Sequence, residues 1–196
     1  MTRRVRARYD DTTITVYQAY SHEIADAALR AGTFVPPFKR ERMTWIKPSF
    51  LWMMYRSGWA TKPGQERVLT IEITRIGFEW ALANSCLSSF DASYHQNYED
   101  WRHQLSTSPV RIQWDPERDL TLRPLPNRAI QIGLKKDAIR RYIGEWITSI
   151  TDCTALSHQI NSLVAQGKRH EAHDLLPHET EYPISAALRD KIGSNS

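Results

Sequence analysis

At 196 residues, with 41% hydrophobic and 24% charged side chains, the chain has the size and composition of one globular domain rather than of a disordered or multi-domain protein. Its net charge of +4 is modest, and Cys86 and Cys153 stand far apart in no C-x-x-C spacing, so neither a zinc site nor a disulfide scaffold is expected. No apolar run approaches the length of a membrane span and the amino-terminal residues are charged, which makes the cytoplasm the expected compartment and leaves no role for a membrane.

The first element in chain order is a strand over residues 12–20, rich in β-branched and aromatic side chains. Ser21 then offers a helix N-cap, Ile24, Ala27, Ala28 and Ala31 form an apolar stripe, and Gly32 supplies the stop. Residues 33–44 form a loop with Pro36-Pro37 and the basic run Lys39-Arg40-Glu41-Arg42. Pro48 suits the first position of a second helix ending near Gly58, and its six consecutive large apolar residues from Phe50 to Tyr55 predict burial. A strand over 67–74 alternates Val68, Leu69, Ile71 and Ile73 with polar residues, and 78–87 predicts a helix.

A polar loop over 88–97 leads to a short helix over 98–105 and a strand over 109–114. Asp115-Pro116-Glu117-Arg118-Asp119 predicts a turn, with 120–122 pairing back across it. Residues 128–134 form a further strand, and 135–150 a helix with Ile139, Ile143, Trp146, Ile147 and Ile150 on one face. Asp152 caps a last helix to about Gln166, and 168–196 form a partly irregular polar tail with a frayed end. The expected fold class is α+β: one domain over 1–196, with a mixed or antiparallel split β-sheet flanked by helices.

The segment most suited to chemistry is Arg42-Met43-Thr44-Trp45-Ile46-Lys47-Pro48-Ser49. With Pro48 as the first helical residue, Lys47 and Ser49 flank a helix N-terminus, where free N–H groups attract anions. Arg42 would grip a phosphate from the loop, and Ser49, Trp52, Met53 and Arg56 share one helix face. The plainer reading has Lys47 snorkelling, Arg56 paired with a carboxylate and the tryptophans simply packed. Gln18 and Tyr20, beside small Ala19 at a strand end, form a second candidate group, with a half-buried strand as its rival. Strand alternation isolates Gln131 between Ala129 and Gly133, which leaves room above its amide, with a satisfied core glutamine as the rival reading. His170, His173 and His178 lie in the polar tail without a carboxylate arrangement, so no metal is expected, and Glu66, Glu72 and Glu79 show no spacing that singles one out as a base.

The stretches "VYQAYSHEIADAALRAGTF", "RMTWIKPSFLWMMYRSGWATKPGQERVLTIEITRIGF", "PVRIQWDPERDL" and "RAIQIGL" resemble the family catalogued as domain of unknown function 4291. A fainter resemblance is to ADP-ribosyltransferases, whose first strand ends in a polar nicotinamide-contacting residue before a helix closing on glycine, as Tyr17-Gln18-Ala19-Tyr20 and the helix to Gly32 do here. Trp45, Ser49 and Tyr55 match that family's next strand, serine and tyrosine. The resemblance implies a split-sheet fold and NAD as ligand, with Gln18, Tyr55 and Gln131 at catalytic positions and Tyr20, Arg42, Trp45, Lys47, Ser49 and Arg56 binding the ligand. It also puts Gln131 where those enzymes carry their catalytic acid, so either the acid comes from elsewhere or nucleotide is bound without transfer. Beside this nucleotide-binding reading stand a nucleic-acid module using Arg3, Arg4, Arg6, Arg8 and the loop from Lys39 to Arg42, and a non-catalytic interaction protein whose tryptophans are core.

Overall fold

The computed structural model describes residues 2–195. A short strand β1 (Arg6–Ala7) is followed by β2 (Thr13–Tyr20), α1 (His22–Ala31), β3 (Thr44–Ile46), α2 (Phe50–Ser57) and β4 (Arg67–Thr74). Then come α3 (Arg75–Ala83), β5 (Ser85–Leu87), α4 (Tyr98–Thr107), β6 (Val110–Arg118) and β7 (Pro124–Leu134). The chain closes through α5 (Asp137–Arg141), a π-helical turn (Tyr142–Trp146), β8 (Ile147–Asp152), α6 (Thr154–Ala165), α7 (Arg169–Asp174), β9 (Thr180–Glu181) and α8 (Ala186–Ile192). No helix among the described residues is long and apolar enough to cross a membrane.

The strands form an antiparallel three-stranded sheet in the order β2-β4-β8, a four-stranded sheet in the order β3-β7-β6-β5, and the small pair β1-β9. Within the four-stranded sheet only β5 and β6 run parallel. The two larger sheets are joined by one backbone bridge, where the Tyr17 N–H donates to the Lys47 carbonyl (2.8 Å) and the Lys47 N–H returns to the Tyr17 carbonyl (3.3 Å). Ile14, Val16, Leu69, Ile71 and Ile73 from one sheet and Ile112, Ile130, Ile132 and Leu134 from the other share the main apolar core. A second cluster gathers Tyr17, Phe50, Trp52, Met53, Met54, Trp59 and Ile160. Arg67 clamps three elements, reaching Asp26 on α1 (2.7 Å) and Asp152 on β8 (2.8 Å).

Several expectations are corrected. Helix α2 starts after Ser49, not at Pro48: Ser49 is the N-cap and its Oγ accepts the Trp52 N–H (3.2 Å). Residues 115–118 continue β6 past Pro116 through a register shift, and the reversal comes at 119–123, where Asp119 accepts the N–H groups of Thr121 and Arg123. Residues 147–150 are not helical. They join β8, which covers the otherwise open edge of β4 and buries Ile150 opposite Ile71. Residues 85–87 are a strand rather than the end of a helix, because α3 begins earlier, at Arg75, with Thr74 as its cap.

The polar tail holds α7, β9 and α8, so Gln166 is not the end of helical structure. Its last stretch is pinned rather than frayed: Ser194 Oγ donates to the Arg3 carbonyl (2.7 Å) and Asn195 Oδ1 accepts the Arg3 N–H (2.6 Å). Ser196, part of the same expectation, lies outside the described residues. Gly77 is required by packing. A Cβ at Gly77 on α3 would lie 2.5 Å from Trp146 Cδ1 and 2.7 Å from its Cδ2. Gly77→Ala is therefore expected to cost about 1–3 kcal/mol by overpacking, read as a lowered urea midpoint with unchanged slope.

Candidate functional site

A cleft of about 770 Å³ opens beside the seam of the two larger sheets. Its walls come from the end of β2, the loop into β3, one face of α2, the turn at Pro63-Gly64-Gln65, and the side-chain row of Gln113 and Gln131 on β6 and β7. Those two amides are directly opposed in the β6–β7 register. Beyond Gln131 the space over Gly133 is filled, because a Cβ there would lie 2.8 Å from Met43 Sδ and 2.9 Å from the Trp45 ring. Gly133 thus lets Trp45 and Met43 lie flat on the sheet and form the wall of the cleft.

Seven of the nine residues singled out from sequence line this one cleft: Gln18, Tyr20, Arg42, Trp45, Lys47, Arg56 and Gln131. Tyr55 and Ser49 do not. Tyr55 points to the surface with the Arg118 guanidinium 3.5 Å above its ring. Ser49 is buried as the cap of α2.

The chemistry at the start of α2 differs from the expected anion site. The Phe50 N–H donates to Glu179 Oε1 (2.7 Å), the Trp52 N–H is taken by Ser49 Oγ, and Ser49 Oγ itself donates to Glu117 Oε1 (2.7 Å). The protein's own carboxylates therefore occupy the place an external anion would take. Lys47 is also spent. Its Nζ lies 2.7 Å from Asp115 Oδ2 and 3.1 Å from the centre of the Trp52 ring, with the side chain only 1% exposed. Burial pushes its pKa down to about 7, against the pull of Asp115 and Glu117 toward the charged form and with a smaller push from Arg118.

Positive charge that is free lies elsewhere, at the rim. Lys39, Arg42 and Arg56 are exposed cleft-lining residues, and none has a carboxylate partner among the described residues. Among the described residues no Asp or Glu lines the cleft. In the amino-terminal arm, by contrast, Arg3 pairs with Asp91, Arg4 with Glu181, and Arg6 donates to the Glu179 carbonyl. Of the basic runs, the loop through Arg42 keeps its charge available and the arm largely does not.

Gln18 is held on every side. Its Oε1 accepts from Tyr142 Oη (2.8 Å), and its Nε2 has Thr44 Oγ1 (2.7 Å), Tyr20 Oη (2.9 Å) and the Trp45 carbonyl (3.0 Å) within reach. Tyr20 and Thr44 share a further hydrogen bond (2.9 Å), and burial pushes the Tyr20 phenol up to about 12. This network ties β2 to β3 and fixes Trp45 from behind. Gln131 differs: it is half-buried and its side chain has no hydrogen-bond partner among the described residues, so its amide is open to the cleft. Gln113 is oriented by donating to Asp115 Oδ1 (2.8 Å), which leaves its carbonyl oxygen as the free end.

Asp115, Glu117 and Glu179 were missed by sequence reasoning, as was Gln113. Alternation of Gln113, Asp115 and Glu117 was the available signal, masked by the Asp115-Pro116 turn pattern. Nothing in sequence pointed to Glu179. The other carboxylates have structural partners: Glu72 accepts from Thr15 Oγ1, Glu79 from Tyr182 Oη and Glu66 from the Gly64 N–H. His170 bonds Asp174 on the exposed side of α7.

A family model described as a domain of unknown function (DUF4291) matches residues 4–182. No curated protein matches the chain.

Proposed function

The chain belongs to the DUF4291 family, and since that description assigns no activity, we propose from the cleft itself that the protein binds a phosphate-bearing small molecule, a nucleotide as its class and NAD as the leading candidate. The observation that carries this reading is the lining: Lys39, Arg42 and Arg56 free at the rim, Trp45 and Phe38 as ring surfaces, open amides on Gln113 and Gln131, and no carboxylate. Guanidinium groups without partners hold phosphate oxygens bidentately, and the volume suits a small-molecule site. One antiparallel and one mostly antiparallel sheet abutting at Tyr17 and Lys47, with the cleft beside their seam, support the ADP-ribosyltransferase-like architecture and with it the choice of NAD. Because no acid among the described residues lines the cleft, binding without ADP-ribose transfer is the simpler activity. The buried, unpaired Cys86 and Cys153 accord with a cytoplasmic setting.

Calorimetry and thermal shift with NAD, ADP, AMP and inorganic phosphate test this. Binding of NAD or ADP is expected, with Arg42→Ala and Arg56→Ala together weakening it about 10- to 100-fold through loss of charge-assisted hydrogen bonds. Absence of heat and of any melting shift at millimolar NAD and ADP removes the proposal. A single-stranded oligonucleotide binding more tightly than ADP, with steep loss of affinity as salt rises, would instead favour nucleic acid held by the same loop.

A further inference from the structure

We propose that Gln113 selects the ligand of the cleft by an amino group. The ring end that meets β6 and β7 donates an N–H to Gln113 Oε1 and bonds the Gln131 amide beside it, as the amino edge of adenine or the carboxamide of nicotinamide would. This rests on the reading of the cleft as a nucleotide site and adds what that site reads besides phosphate. The two glutamines are directly opposed on neighbouring strands and stand on the same face, so their Cβ atoms lie about 4.5–5.5 Å apart. Amides at that spacing can satisfy one another. Among the described residues, however, no hydrogen bond joins them, and both line the cleft. The rows on either side are closed. One holds Gly133, covered by Trp45 and Met43, and the other holds Asp115 and Ala129.

What an amide recognises depends on which of its ends it presents, and the fold settles that for Gln113. A carboxylate only accepts, so Gln113 has to turn its NH2 group toward Asp115 Oδ1 (2.8 Å). Asp115 is held in turn, because its other oxygen takes Lys47 Nζ (2.7 Å), which lies against the Trp52 ring. This buried lysine–aspartate pair offers phosphate no free charge. It locks the carboxylate instead, and the carboxylate locks Gln113. Turning the amide over would set its oxygen against Asp115 Oδ1, two acceptors with no proton between them. Gln113 Oε1 is thus a fixed acceptor in the cleft and demands a donor from the ligand. Gln131 has no partner to fix it and turns whichever end the adjoining ligand atom needs. A fixed acceptor beside an adaptable amide matches an edge where an amino group stands next to an acceptor. Adenine has that edge, which glutamine side chains read through its amino group and a ring nitrogen, and so does the carboxamide of nicotinamide. A ligand without the amino group leaves Gln113 Oε1 unpaired.

The test is calorimetry on the full chain with two pairs of ligands that differ in the donor. ADP is compared with purine riboside 5′-diphosphate, which lacks the amino group of adenine. NAD is compared with its 3-acetylpyridine analogue, in which a methyl ketone replaces the carboxamide. One pair is expected to split by about tenfold or more, the amino-bearing member binding tighter. A split in the first pair assigns the glutamines to adenine, and a split in the second alone assigns them to nicotinamide. Gln113→Met, close in size and without the amide, should reduce that split to about twofold or less. Members of each pair binding within about twofold of one another overturn the inference and leave the phosphate reading standing. A full split retained in Gln113→Met overturns it as well. No heat from any of the four ligands sinks both.

Discussion

Gln18→Ala is expected to lower folding stability by about 2–4 kcal/mol, a fall of about 4–16 °C in melting temperature for a chain of this size. The reason is what the substitution leaves behind. Tyr142 is fully buried, and Gln18 Oε1 is the acceptor for its hydroxyl. The Trp45 carbonyl and Thr44 Oγ1 would lose the donor that joins β2 to β3. A buried donor or acceptor left unpaired costs about 1–3 kcal/mol, and at least two such groups arise here. Gln18→Glu should cost no less near neutral pH, because a carboxylate oxygen would then face the Trp45 carbonyl where a donor now sits. A glutamine used only to orient a ligand behaves differently. Its alanine variant would melt within about 1 °C of the parent while losing affinity, and that result would restore Gln18 to the catalytic position the resemblance implies.

The split between readable and unreadable parts of the site has a physical origin. Residues 42–56 are contiguous, so their basic loop, aromatic wall and helical face could be seen in the chain before any packing was known. Local rules sufficed for β2, β4 and the bounds of α1, where alternation and Gly32 at φ 69° agree, although the buried face of α1 is Ala25 and Ala28 while Ala31 of the expected stripe is exposed. They failed where two rules competed. Pro48 and Ser49 each mark a helix start, and the cap won because its hydroxyl satisfies a backbone N–H that proline at the first position would not. That shift of two residues changed the chemistry, since Lys47, expected beside the first helical residue, instead precedes the Ser49 cap by two positions and faces Asp115. Residues 147–150 continue the apolar spacing of a helix but are also rich in β-branched side chains, and pairing with the edge of β4 decided between them.

The carboxylates were hidden for another reason. Asp115, Glu117 and Glu179 meet Lys47, Ser49 and Phe50 across 68, 68 and 129 positions of chain. Their role exists only once β6 and the segment before β9 are folded against α2. Sequence displayed three cations with open partners as readily as one with a closed partner, and only the packing separates Lys47 from Lys39, Arg42 and Arg56.

That buried cluster predicts an unusual pH profile: folding stability passing through a minimum near pH 7–8 between limbs of opposite slope. Burial raises Glu179 from an ordinary 4.5 to about 8, with Glu117 adding to the rise and the Phe50 N–H and Arg6 opposing it. Between those values the folded chain holds a proton that the unfolded chain has released. The contribution of Glu179 is thus present in full below pH 4.5 and is lost as pH rises through about 8. Lys47 runs the other way. Lowered from 10.5 to about 7, it is unprotonated in the folded chain while the unfolded chain still holds its proton, so its contribution is present above pH 10.5 and is lost as pH falls through about 7. Each limb has a limiting slope of about 1.4 kcal/mol per pH unit, and a depth on the order of a few kcal/mol follows. Urea denaturation at intervals from pH 5 to 10 measures it. Glu179→Gln should flatten the acid limb alone and Lys47→Met the alkaline limb alone, so the two variants separate what the parent curve superimposes. If the Glu179→Gln profile parallels the parent across the acid limb, the carboxylate stays ionised in the fold and caps α2 as a charge. If the Lys47→Met profile keeps the alkaline rise, Lys47 stays an ammonium paired with Asp115 in the fold, and the rise comes from another group.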